Sequence, residues 1–191
     1  NAYFTVYVGA DPMNSDQNLM QTYQGGIGMG EREYYLDHDD HTQSIREAYQ
    51  DHVIKMFELT GFDHSQAVKN MNAVMKIETR LAEAAYTNVQ LRDPHANYNK
   101  MSVEALQSFV PEIIWKEHFT ILGADDVAEV SVGQKESLNE VDKIIESEPL
   151  ENHIAYLQWK LIDAAASYLS DEIYNQNFEF YGKTLSGRQE P

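Results

Sequence analysis

Four consecutive residues near the start of the chain are of types that bind metal ions. They are His38, Asp39, Asp40 and His41, and imidazole and carboxylate groups are common ligands of divalent cations. The two histidines would share a face only in a helix, which the adjacent aspartates disfavour, and a metal site needs three or four convergent ligands. We therefore interpret this segment as a solvated loop rather than a metal site.

The sequence lacks the motifs of the common hydrolase classes. A zincin needs His-Glu-x-x-His on a helix, so that two imidazoles bind zinc and the glutamate activates water. The nearest fragment is Glu117-His118, and Ile121-Leu122 stands where the second histidine is needed. There is no Gly-x-Ser-x-Gly elbow, and a chain without cysteine has no thiol nucleophile and no thiolate ligand. We predict no catalytic residue, no metal ligand and no cofactor site in this chain.

A glycine-rich loop occupies residues 25–30, with the sequence GGIGMG. A phosphate-binding loop needs a following Lys-Ser/Thr pair, or a strand–loop–helix context with an acidic residue for the ribose. Glu31-Arg32-Glu33 follows instead. We expect these glycines to serve backbone turns with positive φ and not to bind a nucleotide.

The chain is strongly acidic, with 31 Asp and Glu against 14 Lys and Arg and a formal net charge of −17. Nucleic acids and anionic membrane surfaces attract basic patches, so we expect no nucleic-acid partner. No apolar run approaches the ~18 residues that span a bilayer. Because the chain starts without methionine and ends in polar residues, we expect an excised piece of a longer protein.

The clearest helix begins after Asp63, which can cap it, with Gln66 at the N3 position of a capping box. Apolar residues recur at the spacing of one buried face. Arg92-Asp93-Pro94 is expected to end this helix, because the residue before a proline disfavours the α region. The stripe consists of Ala67, Met71, Val74, Leu81 and Ala85, widened by Ile77 and Ala84.

A second helix is predicted just before it. Ser44 and Glu47 form another capping-box pattern, and Gly61 is placed to end the helix as its C′ residue. His52 lies on the apolar stripe, where we expect a hydrogen-bonded core histidine rather than a ligand. The stripe consists of Ile45, Ala48, Tyr49, His52, Val53, Met56 and Phe57.

Short strands are predicted at two places. Residues 3–8 and 18–24 suit a hairpin because they contain aromatic and β-branched residues, and residues 130–132 suit a brief strand.

Ser102 is expected to begin a short helix that ends near Val110.

The remainder of the chain is expected to be helical. Pro111 fits the first position of one helix, and a long helix is predicted from Leu150. We expect the buried side of the long helix to carry Ile154, Leu157, Leu161, Ala164, Ala165 and Tyr168, broadened by Trp159 and Ile162. The tail has little polar cover and is expected to fold back onto this helix or to dock on a second copy; its apolar residues are Phe178, Phe180, Tyr181 and Leu185.

Six short motifs follow one another in a recognisable order. The first, at residues 24–36, reads QGGIGMGEREYYL. ETRLA, RDP, YNKMS, YLQWKLIDAAASYLS and FYGKTLSG follow at 78–82, 92–94, 98–102, 156–170 and 180–187. Together they resemble segments of the neprilysin-like (M13) zinc metallopeptidases, including the bacterial endopeptidase O type, and the first is similar to the family's QGGLGLPDRDYYL. The resemblance spans nearly the whole chain.

The resemblance implies a fold and a place in a larger enzyme. Residues 1–191 would form a single fragment of the helical lobe of a larger peptidase, with a β-hairpin and glycine-rich loop at 1–30 and helices over 44–182. The fold class expected is mainly α, a multi-helix lobe with a small N-terminal β-hairpin. In this family the lobe faces a catalytic lobe across an enclosed cavity that admits peptides of modest size.

The family also implies partners and a cofactor for the parent protein. Zinc is implied for the full-length parent, whose zinc helix lies far toward the C-terminus, and not for this fragment. The implied partners are the catalytic lobe of the same polypeptide and peptide substrates, and the implied location is extracytoplasmic, as a periplasmic, secreted or surface-anchored protein. Animal members are rich in disulfides, so the absence of cysteine points to a bacterial relative.

Arg92, Asp93, Tyr98 and Asn99 match one of the family's motifs. We expect a structural role for them, as a charged loop pinned by hydrogen bonds between helices, and a contact with the substrate is the alternative. Two functions stay open for the chain. It is either a fragment that shapes the chamber of a zinc endopeptidase and is inactive alone, or a stand-alone acidic helical protein-interaction module. A homodimer through an exposed surface of the fragment is also allowed.

Overall fold

The computed structural model describes residues 2–189 and confirms a mainly α-helical chain with strands near its N-terminus. The described chain divides into two compact units. The first unit combines residues 2–26 with 84–147, and the second combines residues 27–83 with 148–189. The assignment of residues 1–191 to one helical lobe stays a prediction.

The first unit contains a four-stranded sheet with the strand order β1-β2-β4-β3. β1 (Phe4–Asp11) and β2 (Asn14–Gln24) form the predicted antiparallel hairpin. β4 (Glu129–Val132) runs parallel to β2 and antiparallel to β3 (Lys100–Ser102). The strand predicted at 130–132 is confirmed. The hairpin belongs to a larger sheet than the sequence indicated, because its further partners come from distant parts of the chain.

Eight α-helices form within residues 2–189. They are α1 (Glu33–Leu36), α2 (Asp40–Leu59), α3 (His64–Ala84), α4 (Val103–Phe109), α5 (Trp115–Ile121), α6 (Lys135–Ser147), α7 (Leu150–Ala165) and α8 (Asp171–Asn177), and α8 continues into a π-helix over Phe178–Leu185. Short 3₁₀ turns lie at Gln90–Arg92 and Ala166–Tyr168.

α2 begins at Asp40, so the cap predicted at Ser44 is wrong. Asp39 is the N-cap residue, and its Oδ1 accepts hydrogen bonds from the amides of His41 and Thr42 at 3.0 Å each. Thr42 Oγ1 also donates to Asp39 Oδ2 at 2.6 Å. Aspartate is unfavourable within helices but is among the strongest N-caps, which explains the earlier start.

α3 starts as predicted, since Asp63 Oδ1 accepts the amide hydrogen of Gln66 at 2.9 Å. Its predicted core stripe is also confirmed, because Ala67, Met71, Val74, Leu81 and Ala85 are all buried.

The end of α3 differs from the prediction, because the helix stops at Ala84 and does not continue to Arg92. Gln24 explains the difference. Its Oε1 accepts from the amide of Tyr86 at 2.7 Å, and its Nε2 donates to the carbonyl of Tyr86 at 3.1 Å. These two bonds occupy the backbone groups that a longer helix would use.

α5 begins at Trp115, and the start predicted at Pro111 is wrong. The side chain of Gln107 donates to the carbonyls of Pro111 and Ile113 at 3.1 and 3.0 Å and accepts from the amide of Trp115 at 3.1 Å. This side chain holds the intervening residues in a turn. The helix predicted after Ser102 is confirmed, with Ser102 as the N-cap of α4.

α7 buries the margin of the predicted stripe, which carries Trp159 and Ile162, and leaves the predicted centre of the stripe exposed. Tyr156 and Trp159 are fully buried, whereas Leu157 is 47% exposed and Leu161 is 70% exposed. The helix is apolar on more than one side, and Trp159 lies inward because its Nε1 donates to Tyr49 Oη at 2.9 Å. The apolar residues left at the surface are Leu150, Ile154, Leu157, Leu161 and Tyr168.

The C-terminal tail folds back onto the second unit. Phe180 is buried, and its ring centroid lies 5.2 Å from that of Tyr49 and 5.0 Å from that of His52. The tail therefore folds back as expected, but both of these rings belong to α2 and not to the predicted long helix.

Each unit has its own apolar core. The core of the first unit includes Met20, Leu106, Val110, Trp115, Phe119, Val130, Val132 and Leu138. The core of the second unit includes Ile45, Tyr49, Val53, Phe57, Val74, Trp159, Ile173 and Phe180.

Candidate functional site

The four predicted site residues lie in one connecting segment but do not converge. Arg92 and Asp93 are exposed at the end of a 3₁₀ turn. Asp93 Oδ1 accepts from the amides of His95 and Ala96 at 2.9 and 3.2 Å, which closes the following turn. Within residues 2–189, no hydrogen bond or ion pair involves the Arg92 guanidinium.

Tyr98 and Asn99 attach the same segment to the sheet of the first unit. Tyr98 Oη donates to Asp11 Oδ2 at 3.2 Å, and Asn99 Nδ2 donates to the carbonyl of Val132 at 2.9 Å. The amide of Val132 donates in turn to the carbonyl of Asn99 at 3.0 Å. The loop is therefore pinned to strands, whereas the sequence had suggested helices. Whether these residues also contact a substrate stays a prediction.

An ion pair that sequence reasoning missed lies beside this loop. Lys100 Nζ is 3.4 Å from Asp11 Oδ2 and 2.9 Å from Glu129 Oε2. The hydrogen bond from the amide of Met13, at 2.9 Å, is the largest cause that lowers the pKa of Asp11, and Tyr98 and Lys100 add to it. A hydrogen bond to Glu129 raises the pKa of Lys100. Lys100 lies within the YNKMS motif, and this motif was the feature of the sequence that could have pointed to the ion pair.

A groove of about 440 Å³ opens beside this ion pair. It lies between residues 17–20 of β2 and the loop of residues 123–129, and Val8, Asp11 and Lys100 also line it. Of its carboxylates, Asp11 and Glu129 are paired with Lys100. Its remaining carboxylates belong to Asp125 and Asp126, which are exposed.

The second unit contains a buried polar centre around Glu78, which is fully buried. Glu78 Oε2 accepts from Tyr35 Oη at 2.6 Å and from Tyr49 Oη at 2.9 Å, and Lys160 Nζ lies 3.5 Å from Oε1. Burial raises the pKa of Glu78, and it also raises the pKa values of Tyr35 and Tyr49. The tyrosines are therefore neutral donors at physiological pH.

Three of the sequence motifs meet at this centre. Residues 24–36 contribute Tyr35, residues 78–82 contribute Glu78, and residues 156–170 contribute Trp159 and Lys160. These groups are enclosed and satisfy one another, so the motifs hold the fold of the unit together. The enclosure leaves no room for a substrate at Glu78.

His52 and the segment around Asp39 have structural roles. His52 is buried as predicted, and its Nδ1 lies 3.2 Å from Gln176 Nε2. Burial lowers the pKa of His52 to about 4. In the segment predicted as a solvated loop, Asp39 caps α2 and Asp40 and His41 lie within it, so the loop prediction is wrong there.

Among residues 2–189, no group of three or more His, Asp or Glu side chains is arranged to hold a metal ion. No helix in that range is both long and apolar enough to cross a bilayer.

Comparison with known proteins assigns the family. The sequence pattern described as "Peptidase family M13" matches residues 1–191, the whole chain. The chain belongs to peptidase family M13. This agrees with the neprilysin-like resemblance of the six motifs, and it identifies the chain as part of the N-terminal domain of such peptidases.

Relatives in the M13 family include mammalian and bacterial proteins. Endothelin-converting enzyme 1 of Mus musculus is 27% identical over 183 residues, which are 93% of this chain and 24% of that protein. Zinc metalloprotease Zmp1 of Mycobacterium tuberculosis, in its open state, matches with a TM-score of 0.94 and 30% identity, over 100% of this chain and 30% of that one. PepO of Lactobacillus rhamnosis shares the fold, with a TM-score of 0.77 and 17% identity over 98% of this chain and 30% of that one. This M13 chain thus spans about a quarter of the length of the curated relatives.

Proposed function

We propose that this chain is part of a zinc metalloendopeptidase that cleaves peptides, and that it shapes the enclosed substrate chamber without carrying the catalytic groups. The observation that carries the proposal is the match to Zmp1 over the full chain, with a TM-score of 0.94. The sequence contains no His-Glu-x-x-His, so zinc and the general base must come from another part of the polypeptide. On this view residues 1–191 are one fragment of a helical lobe.

The polar centre of the second unit supports a scaffolding role. Glu78, Tyr35 and Tyr49 are enclosed and hydrogen-bonded, which suits a rigid wall and not a reacting site. Zinc is proposed for the parent, held by residues outside this chain. Peptide substrates and the catalytic lobe are the proposed partners, and an extracytoplasmic location follows from the family resemblance.

The alternative function is a stand-alone acidic helical interaction module. The observation that favours this alternative is the exposed stripe of α7, which consists of Leu150, Ile154, Leu157 and Leu161. Leu161 is 70% exposed. A homodimer through this stripe belongs to the same alternative. Exposed apolar patches commonly mark interaction surfaces.

Peptidase assays on two proteins test these functions. The 191-residue chain and the product of its complete reading frame are each incubated with fluorogenic peptides and zinc. The complete protein is expected to hydrolyse the peptides and to lose activity with a chelator, while the shorter chain stays inactive. Chelator-sensitive turnover by the shorter chain that is lost in His38→Ala or His41→Ala would overturn the assignment. A complete protein without His-Glu-x-x-His and without turnover would favour the interaction module.

A further inference from the structure

We propose that the groove beside β2 binds an extended peptide segment that carries lysine or arginine side chains, by adding it to the sheet as a further strand. This site is independent of the proposed peptidase function, since it rests only on residues of the first unit.

The first observation is an open edge on β2. β1 pairs with β2 in regular register from Asn18 to Gln24 and again at Asn14, with an irregularity over residues 15–17, but β4 pairs with β2 only at Met20, Gln21 and Thr22. Residues 14–19 therefore have no strand on that side within the described chain. At about 3.3 Å per residue, the regular part of this free edge, Asn18 and Leu19, is roughly 7 Å long, and residues 15–17 beyond it fall in the irregularity.

The direction of the backbone groups follows from the pairing with β4. The carbonyl of Thr22 accepts the amide hydrogen of Gly133 at 3.1 Å, so Thr22 presents its backbone groups toward β4. Because backbone direction alternates along a regular strand, and the regular part of β2 reaches Asn18, Asn18 presents its N–H and C=O groups to the same side. An added strand would find this donor and this acceptor in register with β4.

The path of the backbone before β4 leaves this edge of β2 open. α5 ends at Ile121, and Gly123 then turns the backbone with a φ of +73°. Residues 123–129 consequently line the far side of the groove and do not extend β4 along β2. The groove volume of about 440 Å³ suits a short extended segment.

Charge specifies the occupant. The lining residues carry four carboxylates, those of Asp11, Asp125, Asp126 and Glu129, against the single ammonium of Lys100. Lys100 is already shared by Asp11 and Glu129. Asp125 and Asp126 are exposed and form no ion pair among residues 2–189, so the groove favours a cationic side chain. In strand addition the backbone supplies affinity and the flanking side chains supply specificity.

Binding is measured by fluorescence anisotropy with three kinds of short peptide. The probe is acetyl-Val-Lys-Val-Lys-Val-Lys-amide with a fluorophore, and the charge control replaces every lysine with glutamate. Two further versions carry N-methyl groups on the valine amides or on the lysine amides. The lysine peptide is expected to bind at or below about 1 mM, the glutamate peptide to bind at least tenfold more weakly, and one of the two methylated versions to lose binding.

Two variants of the 191-residue chain locate the site. Asp125→Asn with Asp126→Asn is expected to weaken binding of the lysine peptide at least threefold. Glu112→Gln with Glu117→Gln removes the same charge from exposed positions elsewhere in the first unit and should leave binding within a factor of about two. Hydrogen exchange on the wild-type chain should show the peptide slowing exchange at the amide of Asn18.

Several results would overturn the proposal. They are equal binding of the lysine and glutamate peptides, full binding by both methylated versions, and equal effects of the two double variants. Absence of binding by the lysine peptide up to the highest concentration would overturn it as well. Each of these results leaves the peptidase assays unaffected, so the two proposals fail separately.

Discussion

Tyr35 donates a hydrogen bond of 2.6 Å to Oε2 of Glu78, and the same hydroxyl oxygen accepts the amide hydrogens of Gly28 and Met29 at 2.9 and 3.0 Å. One side chain thus ties the glycine-rich loop to α3. Tyr35, Glu78 and Met29 are buried, and in the interior an unmatched donor or acceptor costs more than a hydrogen bond gains.

Tyr35→Phe should therefore destabilise the chain by about 1–3 kcal/mol. The change removes a donor from Glu78 and the acceptor of two backbone amides. Chemical denaturation of both proteins measures the loss. Tyr34→Phe is the matched control, because Tyr34 is only partly buried, and should change the free energy of unfolding by less than about 0.5 kcal/mol. Equal effects at the two positions would contradict this assignment.

Leu81→Ala should cost about 2–5 kcal/mol. Leu81 is 1% exposed, so the substitution leaves a cavity in the interior. Ile121→Ala serves as the control, because Ile121 is 83% exposed, and its effect should be within about 0.5 kcal/mol of zero. Urea titrations followed by circular dichroism compare the two. A loss at Leu81 as small as that at Ile121 would show that the site collapses around the smaller side chain.

Glu148 should make stability depend on pH in the acid range. Burial by itself would raise the pKa of Glu148, but hydrogen bonds from Lys76, Asn152 and Arg80 outweigh it and lower the pKa to about 2. A carboxyl with a lower pKa in the folded state stabilises that state above its unfolded pKa of about 4.5. This stability is lost as the pH falls from about 4.5 toward 2.

Denaturation between pH 7 and 2.5 compares the wild type with Glu148→Gln. The variant should be less stable at pH 7, and the difference should shrink as the pH falls. Glu146→Gln, at a neighbouring exposed position, is expected to follow the wild type throughout. A difference at Glu148 that stays constant with pH would falsify the assignment of this ion pair.

Asn99→Ala should reduce stability by about 1–2 kcal/mol, because its side chain donates to the carbonyl of Val132 within the sheet. Arg92→Ala should leave stability unchanged, since the Arg92 side chain is exposed. In the complete peptidase, a rise in KM with Arg92→Ala and no change in stability would support the substrate-contact alternative. Unchanged kinetics would restrict this motif to a structural role.

Self-association, if the exposed stripe of α7 mediates it, should depend on Leu157 and Leu161. Light scattering over a concentration series is expected to show a dimer for the wild type and a monomer for Leu157→Lys with Leu161→Lys. Ile121→Lys changes an exposed apolar residue of the first unit and should not alter the result. A wild type that stays monomeric throughout would remove the homodimer from consideration.

The sequence predicted those features that depend on local pattern. The sequence predicted the buried stripes of α2 and α3 and the helix starts at Asp63 and Ser102, because each depends on residues within one or two helical turns. The end of α3 was not, because Gln24 stops it from a position distant in sequence.

Two other features also depended on tertiary context. The buried face of α7 was decided by Trp159 reaching Tyr49, since apolar spacing alone fits two faces. Gly28 was expected to provide a turn, as Gly26 and Gly30 do with φ values of 88° and 82°. Its role is instead close approach, because a Cβ there would lie 1.8 Å from Tyr49 Oη. Hydrophobic periodicity could not predict the candidate groove either, because the groove depends on where β4 stops pairing with β2.

The order in which the chain visits its two units has a consequence for biosynthesis. The chain leaves the first unit after residue 26, returns at 84 and leaves again after 147, so neither unit is a continuous stretch. While a ribosome makes the protein, the β1–β2 hairpin is complete at Gln24, but Val130, which pairs with Met20, is made more than a hundred residues after Met20. At about 5–20 residues per second, the nascent hairpin waits for several seconds with its apolar face uncovered. Chaperone capture should therefore be concentrated in that interval of translation, and slowing the ribosome between residues 26 and 130 should lower the yield of folded protein.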